Sequence, residues 1–139
     1  MRLVIHLLVN SEKLQAELSS TCHAKKAAAA AVEKKAVDVV LIDMTSVSIM
    51  ADYFLVCTVY TEAHARGVRE AIEESMEESK LALRRREGSD ASGWVLLDWG
   101  DIVVHIFREE ERKYYDLEGL WGDAPAVRVG DSSGADDAT

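Results

Sequence analysis

Two apolar runs joined by only two residues constrain this chain more than any other feature. The runs are Trp94–Trp99 and Ile102–Phe107, and Gly100 and Asp101 lie between them. A two-residue connection that begins with glycine is typical of a β-hairpin, because glycine accepts the positive φ that a type II′ turn requires. The sequence therefore predicts an antiparallel strand pair with its turn at these two residues.

The turn sets the register of the two strands, with Leu96 opposite His105 and Asp98 opposite Val103. Since side chains alternate along a strand, the hairpin has two faces. One face is wholly apolar and consists of Val95, Leu97, Trp99, Ile102, Val104 and Ile106. The other face consists of Trp94, Leu96, Asp98, Val103, His105 and Phe107. Two faces of this kind predict a hairpin at the centre of a covered sheet, with Asp98 and His105 diagonal neighbours that can reach each other.

The rest of the chain predicts helices and further strands around this hairpin. Helices are predicted at residues 24–35, at residues 61–80 and from residue 109 onward. Strands are predicted at residues 37–44 and 52–59, with an edge strand at residues 81–87. The expected fold class is α/β (α+β), a mixed five-stranded sheet with helices packed on it.

Length and composition indicate one domain. A chain of 139 residues is long enough to bury a sizeable core. We expect the domain over residues 24–127, an extension of uncertain structure at residues 1–23, and a flexible acidic tail at residues 128–139. No apolar run approaches the roughly 20 residues of a membrane span. The two cysteines, Cys22 and Cys57, form no CxxC pair, which favours a reducing compartment.

The net charge of −9 restricts the class of partner. An acidic protein disfavours binding to a phosphate backbone and favours a basic protein surface. The short basic run Arg84-Arg85-Arg86 is best interpreted as a solvated strand edge, with incidental contact to RNA as the alternative.

The candidate chemical groups do not form a recognisable active site. Asp98 and His105 match part of a Ser-His-Asp triad, but no nucleophile motif such as G-x-S-x-G accompanies them. We interpret His105 as a hydrogen-bonded structural histidine. Asp98 and Asp101 flank a tight turn and need not converge on a metal ion, and no glycine-rich phosphate loop precedes a helix. No catalytic residue, metal site or cofactor is predicted.

Several motifs in a fixed order resemble the ribosomal silencing factor family, also called RsfS or Iojap-like. They are Ile42-Asp43, Ala51–Phe54, the helix that begins near Thr61, residues 94–107, Glu109–Arg112, Tyr115, Leu117-Glu118 and Leu120–Pro125. The similarity covers roughly residues 24–127. Two features depart from the family pattern: residues 1–23 exceed its usual start, and Trp99 stands where Tyr or Leu is more usual.

The resemblance implies a fold similar to nucleotidyltransferase-like domains, without established catalysis. It implies binding to the large ribosomal subunit through ribosomal protein fourteen of that subunit, at the face that meets the small subunit. Occupying that face blocks subunit joining and represses translation when nutrients are short; organelle relatives act in large-subunit maturation. The family also implies a homodimer off the ribosome and at most incidental contact with ribosomal RNA. The expected location is the bacterial cytoplasm, with an organelle as the alternative.

The partner-binding residues are predicted on the hairpin. They are Trp94, Asp98, Trp99, Gly100, Asp101 and His105. Aromatic side chains dominate interface hot spots, and acidic ones steer a protein toward a basic site. Because Trp94 and Trp99 point to opposite faces, either could be the exposed anchor, and burial of both is the competing interpretation.

Two other function classes remain open. A nucleotidyltransferase-like metal-dependent enzyme predicts Mg²⁺-dependent nucleotide binding through Asp98 and Asp101. A dimeric scaffold for another basic client predicts self-association without co-sedimentation with ribosomes.

Overall fold

A computed structural model describes residues 19–130, which form one six-stranded sheet with helices packed against it. The strands are β1 (Val37–Asp43), β2 (Tyr53–Val59), β3 (Arg85–Glu87), β4 (Trp94–Asp98), β5 (Ile102–Arg108) and β6 (Ala126–Val129). The helices are α1 (residues 19–33), α2 (Glu62–Glu78), α3 (Glu109–Tyr115) and α4 (Leu117–Leu120). None of the helices in this part of the chain combines the length and apolar character needed to cross a membrane. The predictions for residues 1–18 and 131–139 lie outside the described residues.

The strand order β3-β4-β5-β2-β1-β6 makes the sheet mixed, as predicted. β2 and β5 pair in parallel, and the other neighbouring strands pair antiparallel. The predicted count of five strands is wrong, because β6 adds a sixth strand beside β1. Three of its four residues are exposed, so no buried alternation marks it in the sequence.

The predicted hairpin is confirmed in its register and in the position of its turn. Asp98 pairs with Val103 and Leu96 pairs with His105. Gly100 has a φ of 95°, in the region where glycine alone is unstrained. The main-chain N–H of Trp99 donates to the carbonyl of Ile102 at 2.9 Å, which closes the pair at the turn.

Helices α1 and α2 cover one face of the sheet. On α1 the fully buried side chains are alanines, at positions 24, 27, 28 and 31, and the partly buried Val32 packs beside them. On α2 the buried stripe is Ala65, Val68, Ile72 and Met76, as its helical spacing predicts. The hydroxyl of Ser20 donates to the Asp52 carboxylate at 2.8 Å and ties α1 to the start of β2. Helix α1 is present from residue 19, ahead of the predicted start at residue 24.

Helices α3 and α4 cover part of the opposite face. The helix predicted from residue 109 ends at Tyr115, because Asp116 adopts a left-handed conformation with a φ of 46°. Its side chain then caps α4 by accepting from the N–H of Gly119. Arg112 on α3 ties this unit to the sheet, donating to the carbonyl of Asp38 at 2.6 Å and to the hydroxyl of Thr58 at 2.9 Å.

Candidate functional site

The sheet face opposite α1 and α2 is only partly covered where β4, β5 and β2 lie side by side. We call the half-buried residues there the open face; they are Phe54, Trp94, Leu96, Asp98 and Val103. Their neighbours on the other side of the same strands are fully buried, for example Leu97 and Val104. An apolar face with aromatic residues and a limited polar rim is the surface that protein interfaces use.

Trp94 is the aromatic centre of the open face, and its position is defined by its neighbours. Its ring lies 4.4 Å from that of Tyr115 and 5.0 Å from that of Phe107, measured between centroids. Its indole N–H donates to Nδ1 of His105 at 3.2 Å. A large aromatic side chain held in place before binding loses little conformational freedom when a partner docks.

His105 lies beneath this surface and is 4% exposed. Burial lowers its pKa from 6.5 to about 4, so the imidazole is neutral at neutral pH. Because Nδ1 accepts from Trp94, the proton resides on Nε2, which finds no hydrogen-bond partner among residues 19–130. The ring also contacts Phe54 edge-on, with centroids 4.8 Å apart. His105 therefore supports Trp94 and Phe54 from below.

Carboxylates border the open face at the hairpin turn. One oxygen of Asp98 accepts from the N–H of Gly100 at 2.7 Å, and the other lies 3.9 Å from the guanidinium of Arg85. Asp101 is exposed, and its main-chain carbonyl accepts from the N–H groups of Asp52 and Tyr53. The carboxylates at this end suit a basic partner, although Arg84 and Arg85 beside them offset part of the negative charge.

Comparison with known proteins identifies the family. A family model described as "Ribosomal silencing factor during starvation" matches residues 17–139. The chain belongs to the ribosomal silencing factor family. This confirms the resemblance that the motifs indicate.

Individual relatives agree with this assignment. Ribosomal silencing factor RsfS of Bacillus subtilis is 44% identical over 101 residues, which is 73% of this chain and 86% of that protein. Protein Iojap, chloroplastic, of Zea mays is 30% identical over 104 residues, 73% of this chain and 44% of that protein. A crystal structure of a Chromobacterium violaceum protein superposes with a TM-score of 0.70 at 27% identity, covering 73% of this chain and 85% of that one. The fold described above is therefore the fold of this family.

The structure separates the six predicted binding residues into groups. Trp94 and Asp98 lie on the open face, Asp101 lies at its border, and His105 lies beneath it. Trp99 is 7% exposed and packs in the core under α1 and α2. Gly100 is buried, with the guanidinium of Arg84 over its α-carbon. We therefore remove Trp99 and Gly100 from the candidate surface, since a buried side chain cannot anchor a partner.

The other residues of the open face, and their neighbour Tyr115, were not predicted from the sequence as binding residues. Leu96 and Val103 carry a signal in the sequence, because strand alternation places them beside Trp94. Phe54 joins them only through the parallel pairing of β2 with β5, in which Phe54 lies opposite Val103. Tyr115 reaches Trp94 from α3, and nothing in the hairpin predicts that contact.

The chemical groups near the open face do not assemble a reaction centre. A hydrogen bond between Asp98 and His105 is not formed, since Asp98 bonds to the turn and His105 to Trp94. Within residues 19–130 there is no group of three or more His, Cys, Asp or Glu side chains placed to hold a metal ion. Burial raises the pKa of the Cys57 thiol to about 12, which makes that thiol a poor nucleophile.

Proposed function

We propose that this protein is a ribosomal silencing factor that represses translation by binding the large ribosomal subunit and sterically blocking the joining of the small subunit. The proposed contact is ribosomal protein fourteen of the large subunit. Membership of the family supports the role in ribosome silencing. The observation that supports binding to a protein is the open face, which presents Trp94 on strands whose other side is buried under α1 and α2.

The open face has the composition of a binding hot spot. Trp94 offers a large contact area in one conformation, and Leu96 and Val103 provide aliphatic contact on either side of it. Truncating a central anchor of this kind costs about 2 kcal/mol or more in binding, or about 30-fold in affinity. A single well-packed patch can therefore supply much of the affinity.

The negative charge of the protein favours a basic protein over ribosomal RNA as the partner. The net charge of −9 and the acidic border formed by Asp98 and Asp101 repel phosphates and attract lysine and arginine side chains. Arg85 lies 3.9 Å from Asp98 and Arg86 pairs with Glu73, so a carboxylate accompanies each of these two arginines at the sheet edge. We propose that any contact with RNA is incidental.

The proposal includes the state of the protein away from the ribosome. We propose a homodimer when the protein is free and a bacterial cytoplasmic location, with an organelle as the alternative because chloroplastic Iojap proteins are relatives. Neither catalysis nor a cofactor has a part in this function.

The test is a subunit-joining assay on sucrose gradients. Separated subunits are mixed with the protein, and magnesium is raised to drive joining. The protein should sediment with the large subunit while joined ribosomes decrease in proportion to the amount added. Trp94→Ala should abolish both effects. Tyr60→Ala is the matched control, because Tyr60 is an exposed aromatic residue at the opposite end of β2. Normal joining with the wild-type protein at the top of the gradient overturns the proposal.

A further inference from the structure

The loop between β1 and β2 presents two adjacent large apolar side chains to solvent. Ile49 is 101% exposed and Met50 is 82% exposed. Single exposed apolar residues are common on protein surfaces, but a neighbouring pair at a loop tip is a concentrated apolar contact area. We call this pair the apolar tip.

The loop that carries the apolar tip is held by its own hydrogen bonds. The carboxylate of Asp43 accepts from the N–H and the hydroxyl of Thr45 at 2.9 and 2.6 Å. The N–H of Ser48 donates to the carbonyl of Met44 at 2.9 Å, and the Ser48 hydroxyl accepts from the N–H of Met50 at 3.0 Å. Met44 itself is fully buried in the core cluster that contains Ile42 and Phe107. The tip is therefore displayed on an ordered support, which lowers the conformational cost of binding.

The same loop is joined to the border of the open face. After the tip, the N–H groups of Asp52 and Tyr53 donate to the carbonyl of Asp101 at 2.8 and 3.0 Å. The next residue is Phe54, which belongs to the open face. The apolar tip thus leaves the sheet beside the hairpin turn, and one partner surface can contact both regions.

The charges at this end of the sheet indicate the chemistry of the partner. The acidic residues there are Asp43, Asp52, Asp98 and Asp101, offset in part by Arg84 and Arg85. An apolar tip with carboxylates at the base of its loop is complementary to an apolar pocket bordered by lysine and arginine.

We propose that Ile49 and Met50 form a second contact with the large ribosomal subunit, inserting into an apolar pocket bordered by basic residues on the protein that also binds the open face. This inference rests on the proposed function and deepens it, since it makes the interface bipartite. Met50 suits such a pocket because its unbranched thioether adapts to irregular surfaces.

The first experiment compares binding of isolated large subunits by three variants. The double substitution Ile49→Ser with Met50→Ser should weaken binding about tenfold or more, since hot-spot truncations reach about 30-fold. It should leave the unfolding midpoint unchanged, because both side chains are exposed in the free protein. Tyr60→Ser, the matched control, should bind normally. Loss of binding by Trp94→Ala with wild-type binding by the double variant overturns the bipartite interface and leaves the proposed function intact. Failure of the wild-type protein to bind overturns both.

The second experiment identifies what the tip contacts. A benzophenone-maleimide cross-linker is placed on Met50→Cys in a Cys22→Ser background, because Cys22 is exposed and Cys57 is buried. With large subunits, irradiation should cross-link the chain to the ribosomal protein that a probe at Leu96→Cys also reaches. Cross-linking of the tip to ribosomal RNA, to a different protein, or to nothing while the labelled protein still binds overturns the inference.

Discussion

The two faces of the sheet differ in how far their side chains are buried. The face under α1 and α2 is packed with aliphatic side chains and Trp99, all nearly or fully buried. The open face uses the same strands, yet its residues are half-buried and include Trp94, Phe54 and a carboxylate. The strands of the hairpin are largely apolar on both sides. The burial of each side chain therefore depends on whether a helix packs against its face. The comparison predicts that substitutions on the covered face destabilise the protein and those on the open face reduce binding.

The largest effect is expected from the two tryptophans of the hairpin. Trp99→Ala should lower the free energy of unfolding by about 3–5 kcal/mol, because it removes a large buried side chain and leaves a cavity. Trp94→Ala should lower it by much less, since Trp94 is half-buried, while reducing affinity for the large subunit. Urea unfolding followed by circular dichroism measures the first quantity, and gradient co-sedimentation measures the second. Equal loss of stability in the two variants would contradict the distinction between the faces.

A pH dependence should follow from His105. Its pKa is lowered by burial from 6.5 to about 4 in the folded protein, so the unfolded chain binds more protons between these values. The stability that depends on neutral His105 is complete above about pH 6.5 and is lost as the pH falls toward 4. The total loss is about 3 kcal/mol, from about 1.36 kcal/mol per pKa unit.

His105→Gln isolates this contribution from the carboxylates that titrate in the same range. Urea unfolding at pH 7, 5.5 and 4 should show a steeper loss of stability for the wild-type protein than for the variant. Parallel pH profiles for the two proteins would show that the pKa of His105 is the same in the folded and unfolded protein, as for a solvated imidazole, against its placement beneath the open face.

The hairpin was predictable because its information is local. A two-residue turn sets the register, and alternation then assigns every side chain from Trp94 to Phe107 to a face. The exposure of each face was not predictable, because it depends on where α1 and α2 pack, and the fully buried side chains of α1 in that contact are small alanines. The same limit explains why Trp99 was a plausible anchor: its chemistry suits an interface, and only the position of the helices buries it.

Pairings between distant segments were also beyond the sequence pattern. Phe54 lies on the open face because β2 pairs in parallel with β5. No local sequence motif predicts this pairing. The exposed strand β6 lacks a buried face, and the break at Asp116 needs a left-handed residue that is not glycine. Each of these features depends on tertiary contacts, such as those of Arg112 with the Asp38 carbonyl and Thr58.

Charge on the open face should have a moderate effect on binding. Asp98→Lys is expected to reduce affinity for the large subunit about tenfold, because it reverses a charge at the border that we propose to face a basic partner. It also removes the acceptor for the Gly100 N–H, so Asp98→Asn is the matched variant that keeps an acceptor oxygen. Asp98→Asn should fold normally and bind with an intermediate affinity. Wild-type affinity for both variants, measured at low salt, would place Asp98 outside the interface.

The smallest effect on stability is expected from Arg85→Ala, which removes the cation 3.9 Å from the Asp98 carboxylate. Both groups have solvent access, and such a pair contributes about 0–1 kcal/mol, so the unfolding midpoint should scarcely move. The association rate is expected to change more, because the open face then carries one more uncompensated negative charge toward a basic surface. Stopped-flow binding at low and high salt tests this: Arg85→Ala should associate faster than wild type at low salt, and the difference should vanish as salt screens the field. Slower association at low salt would mean that Arg85 itself meets an acidic group or a phosphate, and the partner surface would then be anionic rather than basic at that border.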